Sequence, residues 1–138
     1  MQIIDLNSQF FVFLFIFARI LNVSPQVQAE FGNLRRWIID NDPQYSIISR
    51  VEVLGYAGLQ SFERLALTDL LDNLEVVYLN PSCYDRAIAL KQQRKMSLGD
   101  ALIAATCLEH HKIIATRNVA DFNWIENLEV VNPLLIVP

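Results

Sequence analysis

Apolar positions along this chain fall in short blocks separated by longer stretches of helical spacing, a pattern that predicts alternating strands and helices. Gln2 to Leu6 is a short apolar run that stops at Asp5 and Asn7, and it predicts a buried first strand with a polar end. Phe10 to Asn22 is apolar on every side and holds five of the eight Phe residues. It predicts a helix covered all round by core or by another chain. Ser24-Pro25 reads as a cap followed by Pro at the first helical position, and this helix runs to about Ile39. Asp40-Asn41-Asp42-Pro43 breaks it.

Tyr45 to Ile48 predicts a second strand, and Ser49 to about Tyr56 a helix. Phe62 to Leu74 is amphipathic through Leu65, Leu67, Leu70, Leu71 and Leu74. Glu75 to Leu79 is a third strand stopped by Asn80-Pro81, and Tyr84 to Gln93 a helix. Arg94-Lys95-Met96 leads into a helix from Ser97 to about His110. Lys112 to Ala115 is a fourth strand, Ala120 to Ile125 a short helix, and Leu128 to Val131 a last strand. Such alternation predicts an α/β fold with a mainly parallel sheet and helices on both faces.

A length of 138 residues suits one domain over 1–138. The apolar fraction of 53% supplies ample core. A net charge of −4 argues against a broad basic face that grips nucleic acid by charge alone. It leaves room for a nuclease whose bound divalent metal supplies the positive charge. Cys83 and Cys107 fit no metal-ligand spacing and predict reduced thiols in a cytoplasmic protein. Arg19 interrupts the apolar run well short of the ~20 residues a spanning helix needs. Asp5 spoils the start of a signal peptide. The expectation is therefore a helix buried in the core or facing a partner, with no stable membrane anchor.

Three predicted helix starts share one signature: Ser49-x-x-Glu52, Ser97-x-x-Asp100 and Asn118-x-x-Asp121. Each reads as an N-terminal cap, which satisfies orphan backbone donors and contributes about 1 kcal/mol. The set also has a chemical reading. Glu52 and Asp121 follow predicted strands, and Asp5 ends the first. In a parallel sheet these acids share one edge, where a helix start can add Asp100. Carboxylates crowded in one cleft repel one another unless a cation sits among them. Mg²⁺ or Mn²⁺ suits an oxygen-only site and phosphodiester hydrolysis.

Ser97-Leu98-Gly99-Asp100-Ala101-Leu102-Ile103-Ala104-Ala105-Thr106 and Thr116-Arg117-Asn118-Val119-Ala120-Asp121-Phe122 resemble the C-terminal signature of PIN-domain ribonucleases. The VapC-like toxins of toxin–antitoxin pairs are the nearest subgroup. Asp5-Leu6-Asn7, Ser49-Arg50-Val51-Glu52-Val53-Leu54 and Leu128-Glu129-Val130-Val131-Asn132-Pro133 also resemble parts of that pattern. The resemblance implies a PIN-like three-layer α/β/α sandwich with a central mainly parallel sheet. It also implies a Mg²⁺- or Mn²⁺-dependent endoribonuclease, an RNA substrate and a neutralising antitoxin; the apolar Phe10–Val23 stretch, where not buried within one chain, predicts a surface for a second copy, giving a homodimer, or for an antitoxin helix. By the resemblance, Asp5, Glu52, Asp100 and Asp121 are the catalytic and metal-binding acids. Asn7, Thr116 and Asn118 are groups that position water or ligands, and Arg117 meets a phosphate or an ion-pair partner.

Leu6 stands where the family carries a small Thr or Ser, and the Phe-rich run is unusual for it. Both features favour the alternative, a catalytically impaired PIN-like module that binds a partner protein or RNA. A third reading makes Asp5 a phosphoryl-accepting nucleophile, which needs a Lys at a later strand end; Ser49, Asn80 and Thr116 stand there instead. His110 and His111 read as helix-end residues, and Trp37 and Trp124 as core or partner packing. Arg94 and Lys95 read as a solvated pair, with an RNA backbone contact as the alternative.

Overall fold

A computed structural model describes residues 10–12 and 25–134, with side chains from residue 32 onward. The elements are β1 (Phe10–Val12), α1 (Pro25–Asn41), β2 (Gln44–Ser46), α2 (Ile47–Leu54), α3 (Ser61–Asp72) and β3 (Val76–Val77). They continue with α4 (Pro81–Gln93), α5 (Leu98–Glu109), β4 (Ile113–Ala115), α6 (Val119–Phe122) and β5 (Val130–Val131). The strands form a five-stranded sheet in the order β3-β2-β1-β4-β5. Every pairing among them is parallel.

The strands are short, and successive residues point to opposite faces. Tyr45 and Ala115 join one core cluster with Leu34, Trp37 and Ile38 of α1, Val53 of α2 and Leu67 and Leu71 of α3. Ile114 joins the other, with Ala87 and Leu90 of α4 and Ala101, Ile103, Ala104 and Ala105 of α5. Two helical layers thus sandwich the sheet, as expected for α/β/α layering. α5 is apolar nearly all round and correspondingly buried. Its alanines let α4 approach closely, and Arg86 ties the two helices through Glu109 at 2.6 Å. Each fully buried Leu or Ile stabilises the fold by roughly 1.5–3 kcal/mol. Arg50 of α2 donates to the buried Tyr45 hydroxyl and to Asp72, each at 2.9 Å, joining α2 to α3.

The first strand corrects the expectation. Phe10–Val12 is not helical but extended, and it is the central strand, paired with both β2 and β4. A wholly apolar run suits a strand flanked on both sides as well as it suits a buried helix, and periodicity cannot separate them. The strand expected at Gln2 to Leu6, the rest of the expected helix to Asn22, and the Ser24 cap lie outside the described residues. α2 also begins earlier than expected, at Ile47, because the Ser46 hydroxyl accepts the Ile48 N–H at 3.0 Å. Cys83 and Cys107 are free and fully buried, as reduced thiols should be. Burial pushes the Cys107 thiol far up, which keeps it unreactive.

α5 ends in a left-handed residue. His111 has φ 54°, its N–H bonds to Leu108 O at 3.4 Å, and Lys112 N–H reaches back to Cys107 O at 2.9 Å. This double closure favours glycine, because a Cβ is strained at positive φ. His111→Gly is expected to stabilise the protein by about 0.5–1 kcal/mol. A higher urea midpoint with an unchanged slope would bear this out, and an unchanged or lower midpoint would refute it.

Candidate active site

Because all pairings are parallel, the C-terminal ends of β2, β1 and β4 lie on one edge of the sheet. The chain runs outward from β1 to β2 and β3, then returns to β4 on the other side of β1. Such a switch point opens a cleft beside the strand C-termini. α2 follows β2 without a loop and carries Glu52. α6 follows β4 after three residues and carries Asp121. α5 runs back toward the start of β4, so its first turn, with Asp100, also lies at this edge.

The charge of Asp100 acts on Glu52, and that of Asp121 on Asp100. Burial, and then the charge of Asp100, pushes the Glu52 carboxyl above its ordinary range. Burial also raises Asp100; a hydrogen bond with Ser97 opposes this and the charge of Asp121 adds to it. The Glu52 carboxyl tip reaches the α5 backbone at Gly99. A Cβ at Gly99 would collide with Glu52 Oε1 and stand 3.1 Å from Glu52 Cδ. The carboxylate of α2 therefore lies directly against the α5 backbone.

Only one of the three expected caps forms as expected. Ser97 Oγ accepts the Asp100 N–H at 3.1 Å. Ser49 does not cap α2: Ser46 does, and Glu52 falls in the last turns of that helix, away from its N-terminus. Asn118 makes no side-chain cap bond; instead its N–H donates to Thr116 Oγ1 at 3.0 Å. Thr116 is fully buried, Asn118 half-buried and Arg117 exposed at the end of β4. Asp5 and Asn7 lie outside the described residues, and the residue that follows β1 in sequence is Phe13, not Asp5.

Three local features escaped the sequence argument. Gly99 is one, and its signal was present: a glycine in the first turn of a helix disfavours the helix and marks a close approach. Ser97 is the second, through its bond to the Asp100 carboxyl. The third is Ser49, whose fully buried hydroxyl has no hydrogen-bond partner. Nothing in the sequence distinguishes it from a cap.

The donors fit a hard divalent cation in type: all are oxygens, and their mutual repulsion leaves a charge deficit a cation would relieve. Among the described residues no three acidic, His or Cys side chains are grouped closely enough to hold a metal by themselves. Mg²⁺ commonly takes one or two carboxylates and keeps its waters, so the Glu52–Asp100 pair suffices for that mode. A separate cleft of about 510 Å³ opens at the other end of β4, lined in part by Arg86, His111, Lys112 and Glu126. It mixes both charges and lies at the opposite edge from the carboxylates.

With this geometry in hand, similarity decides the family. A PIN domain profile matches residues 19–123. The chain belongs to the PIN domain family. The matched span includes Glu52, Asp100 and Asp121 and begins after Asp5. No curated protein matches the chain. Among solved structures, a toxin–antitoxin complex from Klebsiella pneumoniae is similar at TM-score 0.66 and 25% identity, covering 91% of this chain and 98% of that one. VapBC2 from Rickettsia felis, bound to a promoter DNA fragment, is similar at TM-score 0.67 and 18% identity, over 89% and 97%. FitAcB from Neisseria gonorrhoeae is similar at TM-score 0.65 and 20% identity, over 92% and 99%. This PIN chain thus shares its fold with chains of toxin–antitoxin complexes, in agreement with its VapC-like sequence pattern. Among the described residues no helix is long and apolar enough to cross a membrane.

The raised carboxyls fix a pH dependence. Both groups hold protons to higher pH in the folded chain than in the unfolded one, where they titrate near about pH 4. Their stabilising contribution is complete below that value and is lost as pH rises through the folded values. Without added metal, stability should fall as pH rises from about 4 toward neutrality. Glu52→Gln and Asp100→Asn should flatten that fall and raise the melting temperature at pH 7. Lower melting temperatures with the pH profile intact would instead assign both residues to capping.

Proposed function

We propose that this PIN chain is a Mg²⁺- or Mn²⁺-dependent endoribonuclease and the toxin of a toxin–antitoxin pair. The observation that carries the proposal is the partly dehydrated Glu52 and Asp100 pair at the C-terminal edge of the sheet, with the charge of Asp100 acting on Glu52 and that of Asp121 on Asp100. PIN toxins are nucleases as a class, and the similar solved structures are toxin–antitoxin complexes.

In this reading Glu52, Asp100 and Asp121 would hold the ion, and Asp5, which precedes β1 in sequence, is not needed for it. A bound divalent ion supplies a nucleophilic water at neutral pH and steadies the leaving oxygen of the phosphodiester. Ser97 orients the Asp100 carboxylate, and Gly99 leaves space for Glu52. The Thr116 hydroxyl fixes the turn that presents Arg117 and Asn118, where Arg117 meets a substrate phosphate and Asn118 positions water. RNA is the substrate, and the basic partner of this acidic chain is its antitoxin. A cytoplasmic homodimer in one 1–138 domain completes the proposal.

A second reading, the impaired module that binds a partner or RNA, is favoured by one observation. The described carboxylates do not close into a three-ligand metal group, and Phe13 follows β1 in sequence where an acid would serve. Incubation with a randomised RNA library separates the two. The nuclease reading expects cleavage with Mn²⁺ that is abolished by EDTA and reduced at least about 100-fold in Glu52→Gln, which removes a charge that balances the cation. RNA retained uncut at every Mn²⁺ concentration would support the impaired module.

A further inference from the structure

α6 is a weak element to carry a functional acid. It spans four residues, has no side-chain cap, and leaves Asp121 exposed. Phe122 and Ile125 anchor it to the core. Trp124 adds something different. Its indole Nε1–H donates to the Asp121 carbonyl at 2.9 Å, satisfying a carbonyl that a helix end leaves unpaired. The same indole ring lies under the Arg94 guanidinium, 5.3 Å from its centroid, within the range of a cation–π contact.

Arg94 closes α4, and its backbone is extended at φ −158°. Three residues later comes Ser97, the cap of the helix that carries Asp100 and a hydrogen-bond partner of its carboxyl. Trp124 comes three residues after Asp121. The stack therefore bridges the two segments that deliver Asp100 and Asp121, at equal chain distance from the Ser97 cap and from Asp121.

We propose that the Arg94–Trp124 stack is a positioning clamp that sets the spacing of Asp100 and Asp121. Neither side chain touches substrate in this role. Trp124 holds the α6 backbone at Asp121, and Arg94 holds Trp124 to the α4–α5 junction. The inference rests on the metal-site reading proposed above and deepens it.

The test is Mn²⁺ binding to the full chain, read by electron paramagnetic resonance of the free ion. Trp124→Phe keeps an aromatic ring for Arg94 but removes the N–H donor. It should weaken Mn²⁺ binding about tenfold, the usual effect of a lost orienting contact behind a metal ligand. Its melting temperature without metal should move by no more than about 4 °C. Arg94→Ala gives the sharper sign. Removing a cation near the site would by charge alone tighten Mn²⁺ binding, whereas loss of the clamp weakens it. Arg94→Lys, which preserves a cation over the ring, should restore binding in part. Trp124→Phe with wild-type affinity, or Arg94→Ala with tighter binding, overturns the clamp while Asp100→Asn still loses the ion. If the wild-type chain binds no Mn²⁺, the metal-site reading itself fails, and the clamp with it.

Discussion

The contact of the Glu52 carboxyl with the α5 backbone at Gly99 is the interaction on which the site depends. A side chain at that position would occupy the space that the Glu52 carboxylate fills. With glycine there, two helices from different parts of the chain bring Glu52 and Asp100 into one partly dehydrated space. Neither helix alone has reason to hold a raised carboxyl. Each does so because it is packed against the other, with Asp121 adding its charge from α6.

The sheet makes that packing productive. Parallel pairing throughout sends every strand C-terminus to one edge, and the reversal of strand order at β1 opens that edge. The cores on the two faces draw on alternate residues of the same short strands, as Ile114 and Ala115 do. The strands need no more than two or three residues each, because the helices bury the apolar mass. Charge is thereby concentrated at an edge of a chain whose net charge is only modestly negative.

Much of this was legible in the sequence. The strand–helix alternation fixed the α/β class, and four of the five described strands fall within or beside the predicted runs. The failure at β1 has a physical cause: Phe10–Val12 sits in an apolar run with no polar face, so no period could choose strand over helix. The site was half legible. Asp100 lies beside Glu52 and is also a capped first-turn residue, so a local signature could not have separated a cap from a ligand. Glu52 looked equally like a capping acid, yet Ser46 starts the helix three residues sooner and leaves Glu52 with no capping duty. Trp124 read as packing; its hydrogen bond to Asp121 and its contact with Arg94 depend on a tertiary meeting that no spacing announces.

The central claim is that these crowded carboxylates form a cation site. A thermal melt of the wild-type chain and of Asp100→Asn, each with and without millimolar Mn²⁺, tests it without knowledge of any substrate. An ion that binds only the folded state raises the melting temperature by mass action. The account predicts a rise in the wild type that vanishes in Asp100→Asn. An equal rise in both proteins, or none in the wild type, would contradict it.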